Sequence, residues 1–289
     1  MPSRPSLKTL LRRGEVLVAP GVFDMISARI ADRMGFAALY MTGYGTVASS
    51  LGLPDAGLAS YTEMVSRVAT IAAGTTTPLV ADADTGFGGL LNVERTVRGY
   101  EAAGAAAIQI EDQVFPKKCG HTVGRQVIPA EDMARKIRVA RESRDSAEFL
   151  IIARTDARTA HGLDEALRRA EAYAGAGADI LFVESPESEE EMRRICASFD
   201  KPCLANMVEG GRTPVLTREA LIQIGYRMAI FPATGFLATA AALTHAYDAL
   251  RTHGSSAGQP LDLLDFAAMN RLMGFERIWQ FDRDHPETP

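Results

Sequence analysis

Eight short apolar runs, separated by segments of helical spacing, set the tightest limit on what this chain can fold into. They are Val16 to Ala19, Ala38 to Met41, Leu79 to Ala81, Ala107 to Ile110, Phe149 to Ala153, Ile180 to Val183, Cys203 to Ala205 and Met228 to Phe231. Each is nearly continuous rather than alternating, as strands covered on both faces are, so parallel pairing is expected. Amphipathic stretches such as Asp164 to Ala174 lie between them. Several end at a glycine suited to a left-handed C-terminal cap: Gly35, Gly104 and Gly177. Eight strand–helix units in 289 residues point to an α/β chain closed as a (β/α)₈ TIM-type barrel. The competing fold, a doubly wound sheet, lacks the GxGxxG that would follow its first strand. No fixed-period repeat or low-complexity linker interrupts the chain. Residues 1–289 therefore read as a single barrel domain with a helical extension over roughly 254–289, which contains Trp279. That extension either covers the barrel or packs on a neighbouring subunit.

Composition narrows the function. The chain is 47% hydrophobic and 23% charged, enough for a large core without covalent staples. Its net charge of −5, with both signs mixed, provides no basic stripe for nucleic acid, and a small polar partner fits better. Cys119, Cys196 and Cys203 form no CxxC pair, and so sparse and odd a count fits a reducing compartment. No apolar run reaches the length of a membrane span, and the head MPSRPSLKTLLRRGE lacks the apolar core of a secretory signal. Its Arg and Ser content faintly resembles a transit peptide, but the first strand follows too soon to leave a removable leader. A cytoplasmic location without membrane attachment is expected.

In such a barrel the reacting groups lie where strands end, and the residues there are unusually polar. In chain order they are Asp24, Thr42-Gly43-Tyr44, Asp82 with Asp84, Glu111-Asp112-Gln113, Arg154 with Asp156, Glu184, Asn206 with Glu209, and Thr234. Carboxylates gathered in one mouth would resist ionisation unless a cation joined them. Asp82 and Asp84 stand two residues apart, followed by glycines that allow close approach, and all-oxygen donors of this kind suit Mg²⁺ or Mn²⁺. Glu111, at the next strand end, can hold a metal-bound water. The bland alternative is that Asp82 and Asp84 cap the following helix. Cys119 lies in Phe115-Pro116-Lys117-Lys118-Cys119-Gly120-His121, a stretch long enough to act as a lid. Two lysines and a histidine beside the thiol would favour the thiolate or make it a proton donor. Cys196 and Cys203 read as inert small hydrophobes. Arg154, after a buried strand, needs a carboxylate partner from the site or from a substrate. Tyr44, in a Gly-Tyr-Gly turn, can bring its hydroxyl to the mouth.

Taken in order, Pro20-Gly21-Val22-Phe23-Asp24, Thr42-Gly43-Tyr44-Gly45, Leu51-Gly52-Leu53-Pro54-Asp55, Asp82-Ala83-Asp84-Thr85-Gly86, Ile110-Glu111-Asp112-Gln113, Lys117-Lys118-Cys119-Gly120-His121 and Ala153-Arg154-Thr155-Asp156-Ala157 resemble the isocitrate lyase and phosphoenolpyruvate mutase superfamily over nearly the full length. The Lys-Lys-Cys-Gly-His loop is similar to that of the carbon–carbon lyases and oxaloacetate hydrolases, whereas phosphonate-forming mutases carry an Asn-containing loop without the Cys. Methylisocitrate lyases share the loop but hold a third carboxylate with two late arginines, and the matching positions here are Leu237 and Met269. Asn206-Met207-Val208-Glu209-Gly210-Gly211-Arg212-Thr213-Pro214 most resembles the dimethylmalate lyase and petal death protein branch.

The resemblance implies a Mg²⁺-dependent lyase that cleaves a 2-hydroxy dicarboxylate, a 2-substituted malate such as 2,3-dimethylmalate, to a 2-oxo acid such as pyruvate and a carboxylate. It implies metal held through Asp82, Asp84 and Glu111, and Cys119 as proton donor with Tyr44 and Glu111 in the catalytic set. Substrate contacts would come from Thr42, Gly43, Tyr44, Asp55, Gly120, His121, Arg154, Glu184 and Asn206. The general base stays open between a carboxylate and a bound water. Alternatives are an oxaloacetate hydrolase or decarboxylase with a differently filled pocket near Pro232 to Thr234, a methylisocitrate lyase, a phosphonomutase and, least, a non-catalytic dicarboxylate-binding barrel. The resemblance also implies exchange of C-terminal helices between subunits, giving a homodimer or homotetramer.

Overall fold

The computed structural model describes residues 6–120, 122 and 124–286. The chain divides into two compact units, Met1–Phe236 and Leu237–Pro289. The first carries eight parallel strands: β1 (Leu17–Val22), β2 (Leu39–Met41), β3 (Leu79–Asp82), β4 (Ala107–Glu111), β5 (Leu150–Thr155), β6 (Ile180–Val183), β7 (Leu204–Asn206) and β8 (Met228–Phe231). Each overlaps an apolar run in the sequence, its ends within three residues of that run's. They stand in the order β6-β5-β4-β3-β2-β1-β8-β7, with Leu17 opposite Met228 where β1 meets β8. A parallel bridge from Leu181 to Cys203 joins β6 to β7 and brings the sheet to near closure, so the TIM-type barrel is correct and the doubly wound sheet is not.

Helix α1 (Leu7–Leu11) precedes β1, and α2 (Met25–Arg33) follows it. Helices α3 (Gly43–Leu51) and α4 (Tyr61–Gly74) follow β2, α5 (Leu90–Ala102) follows β3, and α6 (Ala130–Ser143) follows β4. Next come α7 (Ala157–His161) and α8 (Leu163–Ala176) after β5, α9 (Glu189–Ala197) after β6, and α10 (Arg218–Ile224) after β7. Helix α11 (Thr234–His253) follows β8 and runs into the second unit, which also holds α12 (Phe266–Met273) and α13 (Phe275–Asp284). The cap glycines read from the sequence do adopt the left-handed backbone, at φ 79° for Gly35, 95° for Gly104 and 111° for Gly177. Helix α1 was not foreseen. Ser6 caps it, and Leu7, Leu10 and Leu11 join the barrel's inner apolar layer.

Strand alternation sorts the core into two layers. Inward rows supply Leu17, Ala19, Tyr40, Val80, Leu150, Ile152, Phe182, Leu204 and Ile230 to the inner layer. Intervening residues such as Leu79, Ala81, Ile108, Ile110, Ile151, Ala153 and Leu181 meet the helices in the outer one. Each Leu, Ile, Val or Phe side chain among them contributes about 1.5–3 kcal/mol by leaving water, so the rows are pinned and a slip of one residue is excluded. Two residues past the last apolar inward position, the rows reach Thr42, Asp82, Arg154, Glu184 and Asn206, all buried at the C-terminal mouth. Glu111 lies two past the inward, fully buried Gln109.

Candidate active site

Asp82 and Asp84 do not cap the next helix, since α5 begins at Leu90 with Gly89 as its N-cap. Asp84 adopts a left-handed backbone, φ 48°, and donates its N–H to Asp82 Oδ1 at 3.0 Å. Gln109 Nε2 donates to the same oxygen at 3.3 Å and in turn accepts from the Tyr40 hydroxyl at 2.9 Å. The other Asp82 oxygen faces Gly43, where an added Cβ would lie 2.5 Å away. Thr42 and Gly43 thus bring the start of α3 against the β3 carboxylate, and only a glycine fits there. Burial pushes the Asp84 carboxyl up to about 6, although the Lys117 ammonium opposes it. Burial likewise raises Glu111 well above the ordinary carboxylate range, against the pull of Arg154.

Arg154 is the hub of the opposite side. Its Nε and Nη2 donate to Asp156 at 2.9 Å each, and the same guanidinium lies 3.3 Å from both Glu111 and Glu184. It also lies 5.0 Å from the Phe182 ring centroid. Asn206 donates to Glu184 at 3.0 Å. Asp156 is held below the usual carboxylate range because Arg154 and Arg125 outweigh its burial. Arg125 reaches it at 2.5 Å and Thr159 at 2.7 Å.

The Cys119 segment closes over this mouth by backbone contacts. Cys119 donates its N–H to the Asp55 carbonyl at 3.1 Å, and Ser185 donates to the Gly120 carbonyl at 3.2 Å. Gln113 brackets Lys118, taking its N–H at 2.9 Å and donating to its carbonyl at 2.8 Å. Each lysine ammonium has partners of its own. Lys117 turns inward and ion-pairs with Asp55 and, at 2.7 Å, with Asp84, while Lys118 points to the Gly124 carbonyl. Asp55 therefore anchors the loop through Lys117. His121 lies outside the described residues. Tyr44 sits in the first turn of α3, 40% exposed, with its ring 5.1 Å from that of Phe236. Cys203 is buried, and a hydrogen bond with Cys203, together with burial, pushes the Cys196 thiol up, which suits two inert thiols.

Gly120 is where the loop meets the hub: a Cβ there would stand 2.3 Å from Arg154 Nη2 and 2.9 Å from Glu184 Oε2. Gly120→Ala is therefore expected to hold the loop off the mouth and lower kcat/KM by about 100-fold, the scale of a 1 Å misplacement. Equal kcat/KM in steady-state assays of parent and variant would show that the loop need not seat there.

Some of this network was not read from the sequence. Asp112 faces outward, where it accepts from Thr155 at 2.7 Å, Tyr173 at 2.7 Å, the Asp156 N–H at 2.9 Å and Arg169 at 3.2 Å. It ties β4 to the end of β5 and so aims Arg154. Strand parity assigns it to that outer side, because Glu111 beside it faces in. Lys117 and Arg125 sit in irregular loops, where no periodicity signals which way a side chain turns.

Comparison with known proteins decides the family: the phosphoenolpyruvate phosphomutase profile matches residues 7–251. The chain belongs to the PEP mutase/isocitrate lyase superfamily. Within the superfamily it is 48% identical to 2,3-dimethylmalate lyase of Eubacterium barkeri over 99% of both chains. It is also 48% identical to a 2-methylisocitrate lyase of Aeropyrum pernix, over 81% of this chain and 75% of that one. Among solved structures, an oxaloacetate acetylhydrolase bound to 3,3-difluorooxalacetate superposes with a TM-score of 0.93 at 35% identity, covering 99% and 98% of the two chains. A phosphonopyruvate hydrolase in complex with oxalate and Mg²⁺ superposes with a TM-score of 0.88 at 27% identity, covering 99% and 100%.

Superfamily members thus include an enzyme solved with Mg²⁺, and the residues here bear on the same ion. Among the described residues no three His, Cys, Asp or Glu groups converge into a ready-made cage. Mg²⁺ does not require one, since it ordinarily keeps several waters and takes one or two carboxylates. The donors are all oxygen, and buried Glu111 Oε1 accepts no hydrogen bond from the described residues. A cation or its water shell would satisfy that orphan acceptor. One or two of Asp82, Asp84 and Glu111, with water completing the shell, therefore fit a hard divalent cation.

Proposed function

We propose that this chain is a Mg²⁺-dependent carbon–carbon lyase acting on a 2-substituted malate such as 2,3-dimethylmalate, giving pyruvate or a similar 2-oxo acid and a carboxylate. One observation supports this reading above the others: the Cys119 loop docks on a mouth that holds Asp82, Asp84 and Glu111 on one side and Arg154 with Glu184 and Asn206 on the other. Likeness to 2,3-dimethylmalate lyase along the whole chain supports the same substrate class. Lack of arginine at Leu237 and Met269 weighs against a tricarboxylate, and the Cys-containing loop weighs against a phosphonomutase. Mn²⁺ would serve through the same oxygens.

Cleavage must break the C2–C3 bond while the 2-hydroxyl loses its proton and becomes a carbonyl. The bond's electron pair passes to the departing carbon beside its carboxylate, as a dianionic enolate. A bound divalent cation would supply the positive charge that makes the hydroxyl acidic. Asp82, Asp84 and Glu111 would hold that cation, and Thr42, Gly43 and Tyr44 at the start of α3 would orient the adjoining carboxylate, Gly43 and Tyr44 through their N–H groups because the Thr42 N–H is taken by the Val22 carbonyl. Arg154, braced by Asp156, grips the second carboxylate with help from Asn206, Gly120 and His121, while Glu184 orients Arg154 and Asn206 toward it. Cys119 delivers its thiol proton to the enolate carbon once the loop excludes water. The hydroxyl proton leaves to a carboxylate or water.

We further propose a cytoplasmic homodimer or homotetramer that exchanges its C-terminal helices. Phe266, Leu263 and Leu264 in the second unit are each more than 60% exposed, more apolar surface than a lone chain ordinarily leaves in water. Among the described residues no helix is long and apolar enough to cross a membrane.

Incubating the chain with Mg²⁺ and 2-methylmalate, 2,3-dimethylmalate, methylisocitrate, isocitrate and oxaloacetate separates these readings. Expected are a 2-oxo acid from a substituted malate and loss of turnover on adding EDTA. Turnover of oxaloacetate alone would make it a hydrolase or decarboxylase, and turnover of methylisocitrate in preference to the malates would make it a methylisocitrate lyase.

A further inference from the structure

Round the barrel mouth, the inward-facing row is polar or charged from β2 to β7, at Thr42, Asp82, Glu111, Arg154, Glu184 and Asn206. Across β8 and β1 it is not. There the same alternation reaches Pro232, two past Ile230, and Phe23, two past Gly21 and only 5% exposed. Phe236 stands over this gap, its ring edge-on to Phe23 at 6.4 Å and tilted against Tyr44 at 5.1 Å. None of the three rings belongs to either apolar core, so this cluster is not what joins strands to helices. A glycine at 45 makes room for it, since a Cβ there would meet Phe23 at 3.0 Å and Phe236 at 3.1 Å. The cluster also abuts the charged sector, because Tyr44 follows Gly43, whose backbone rests on the Asp82 carboxylate.

We propose that Phe23, Tyr44 and Phe236 form the subsite for the short alkyl branch of the substrate and set a preference for branched over unbranched diacids. The inference rests on the dicarboxylate reading above and adds to it the residues that select the branch. A diacid whose carboxylates are fixed by the charged sector from β2 to β7 can turn a substituent only toward β8 and β1 without burying it against charge. Offset and edge-on aromatic faces suit a methyl or ethyl group, and one methylene in such a pocket is worth about 10-fold in discrimination or more.

The test is calorimetric binding of succinate and 2,3-dimethylsuccinate, which lack the hydroxyl and cannot be cleaved, to the Mg²⁺-loaded full chain. The parent is expected to bind the dimethyl compound about 10-fold more tightly, and in Phe236→Ala that ratio should fall to within about two-fold. Phe236→Leu, which keeps an apolar group and guards against misfolding, should retain an intermediate ratio. A parent with no preference, or a ratio unchanged in Phe236→Ala, overturns the subsite. Turnover of 2,3-dimethylmalate by the same preparations keeps the two ideas apart. Preference for dimethylsuccinate without cleavage of any malate rejects the lyase and leaves the subsite standing, whereas cleavage with an unchanged binding ratio rejects the subsite alone.

Discussion

Cys119→Ser is expected to lower kcat on a 2-substituted malate by about 10²–10⁴-fold, the usual contribution of a positioned proton donor, while substrate affinity changes little. Serine preserves shape and polarity but removes the acid, because an unperturbed thiol titrates near about 8.5 and an alkyl hydroxyl is not ionised in water at any ordinary pH. The loop should still close, since the backbone makes its anchoring bonds: the Cys119 N–H to Asp55, the Gly120 carbonyl from Ser185, and both backbone groups of Lys118 to Gln113. Lys117 also stays on Asp55 and Asp84. The signature is therefore a fall in kcat with KM nearly constant, read by pyruvate release under saturating substrate. A variant that kept kcat within about 10-fold would assign the proton to another group, and one that raised KM in proportion would make the thiol a binding residue rather than an acid.

What the sequence made legible follows from where periodicity applies. The eight strands were readable because each is buried on both faces, so its composition is dictated over several consecutive residues. The same alternation that buries Ile152 and Phe182 brings Arg154 and Glu184 to the mouth, so the polar rim was readable for the same reason. Legibility stops where the chain leaves its strands. Lys117 looked like a cation lowering the pKa of a neighbouring thiol, yet the ammonium is turned by Asp55 and Asp84, distant partners that loop spacing does not announce. Helix α1 is only five residues long, below the length at which a helical repeat stands out. Tyr44 reads as part of a turn from its spacing, but it lies in the first turn of α3, because Gly43 presses against Asp82 and the chain coils from there. The boundary at Phe236 falls inside the single helix α11, and sequence pattern cannot divide an unbroken helix.

Replacing Arg154 with methionine, which keeps much of the side-chain volume, is expected to cost about 3–5 kcal/mol of stability because it strands buried carboxylates. Glu111, Asp156 and Glu184 all face this one guanidinium and are themselves almost fully buried. Arg125 would remain on Asp156, but Glu111 and Glu184 would lose a neutralising charge that lies 3.3 Å from each. The sign of the pH dependence follows from the direction of two shifts. Burial already raises the Glu111 carboxyl in the folded chain while Arg154 holds it down, so removing Arg154 raises it further. A carboxyl whose folded pKa exceeds its unfolded one favours folding below the unfolded value, about 4.3, and loses that contribution as pH rises through the folded value. Asp156 is held low in the folded chain by Arg154 and Arg125 against its burial, and that stabilisation, present above about 3.9, shrinks when Arg154 goes. Both effects enlarge the variant's deficit as pH increases. Urea unfolding in EDTA at pH 5 and pH 8 should therefore show Arg154→Met closest to the parent at pH 5. A deficit equal at the two values would mean that lost packing against Phe182, not stranded charge, is what the substitution removes. Arg154→Lys divides the roles again: an ammonium restores part of the stability but cannot present two parallel N–H groups to Asp156, so substrate affinity should remain impaired.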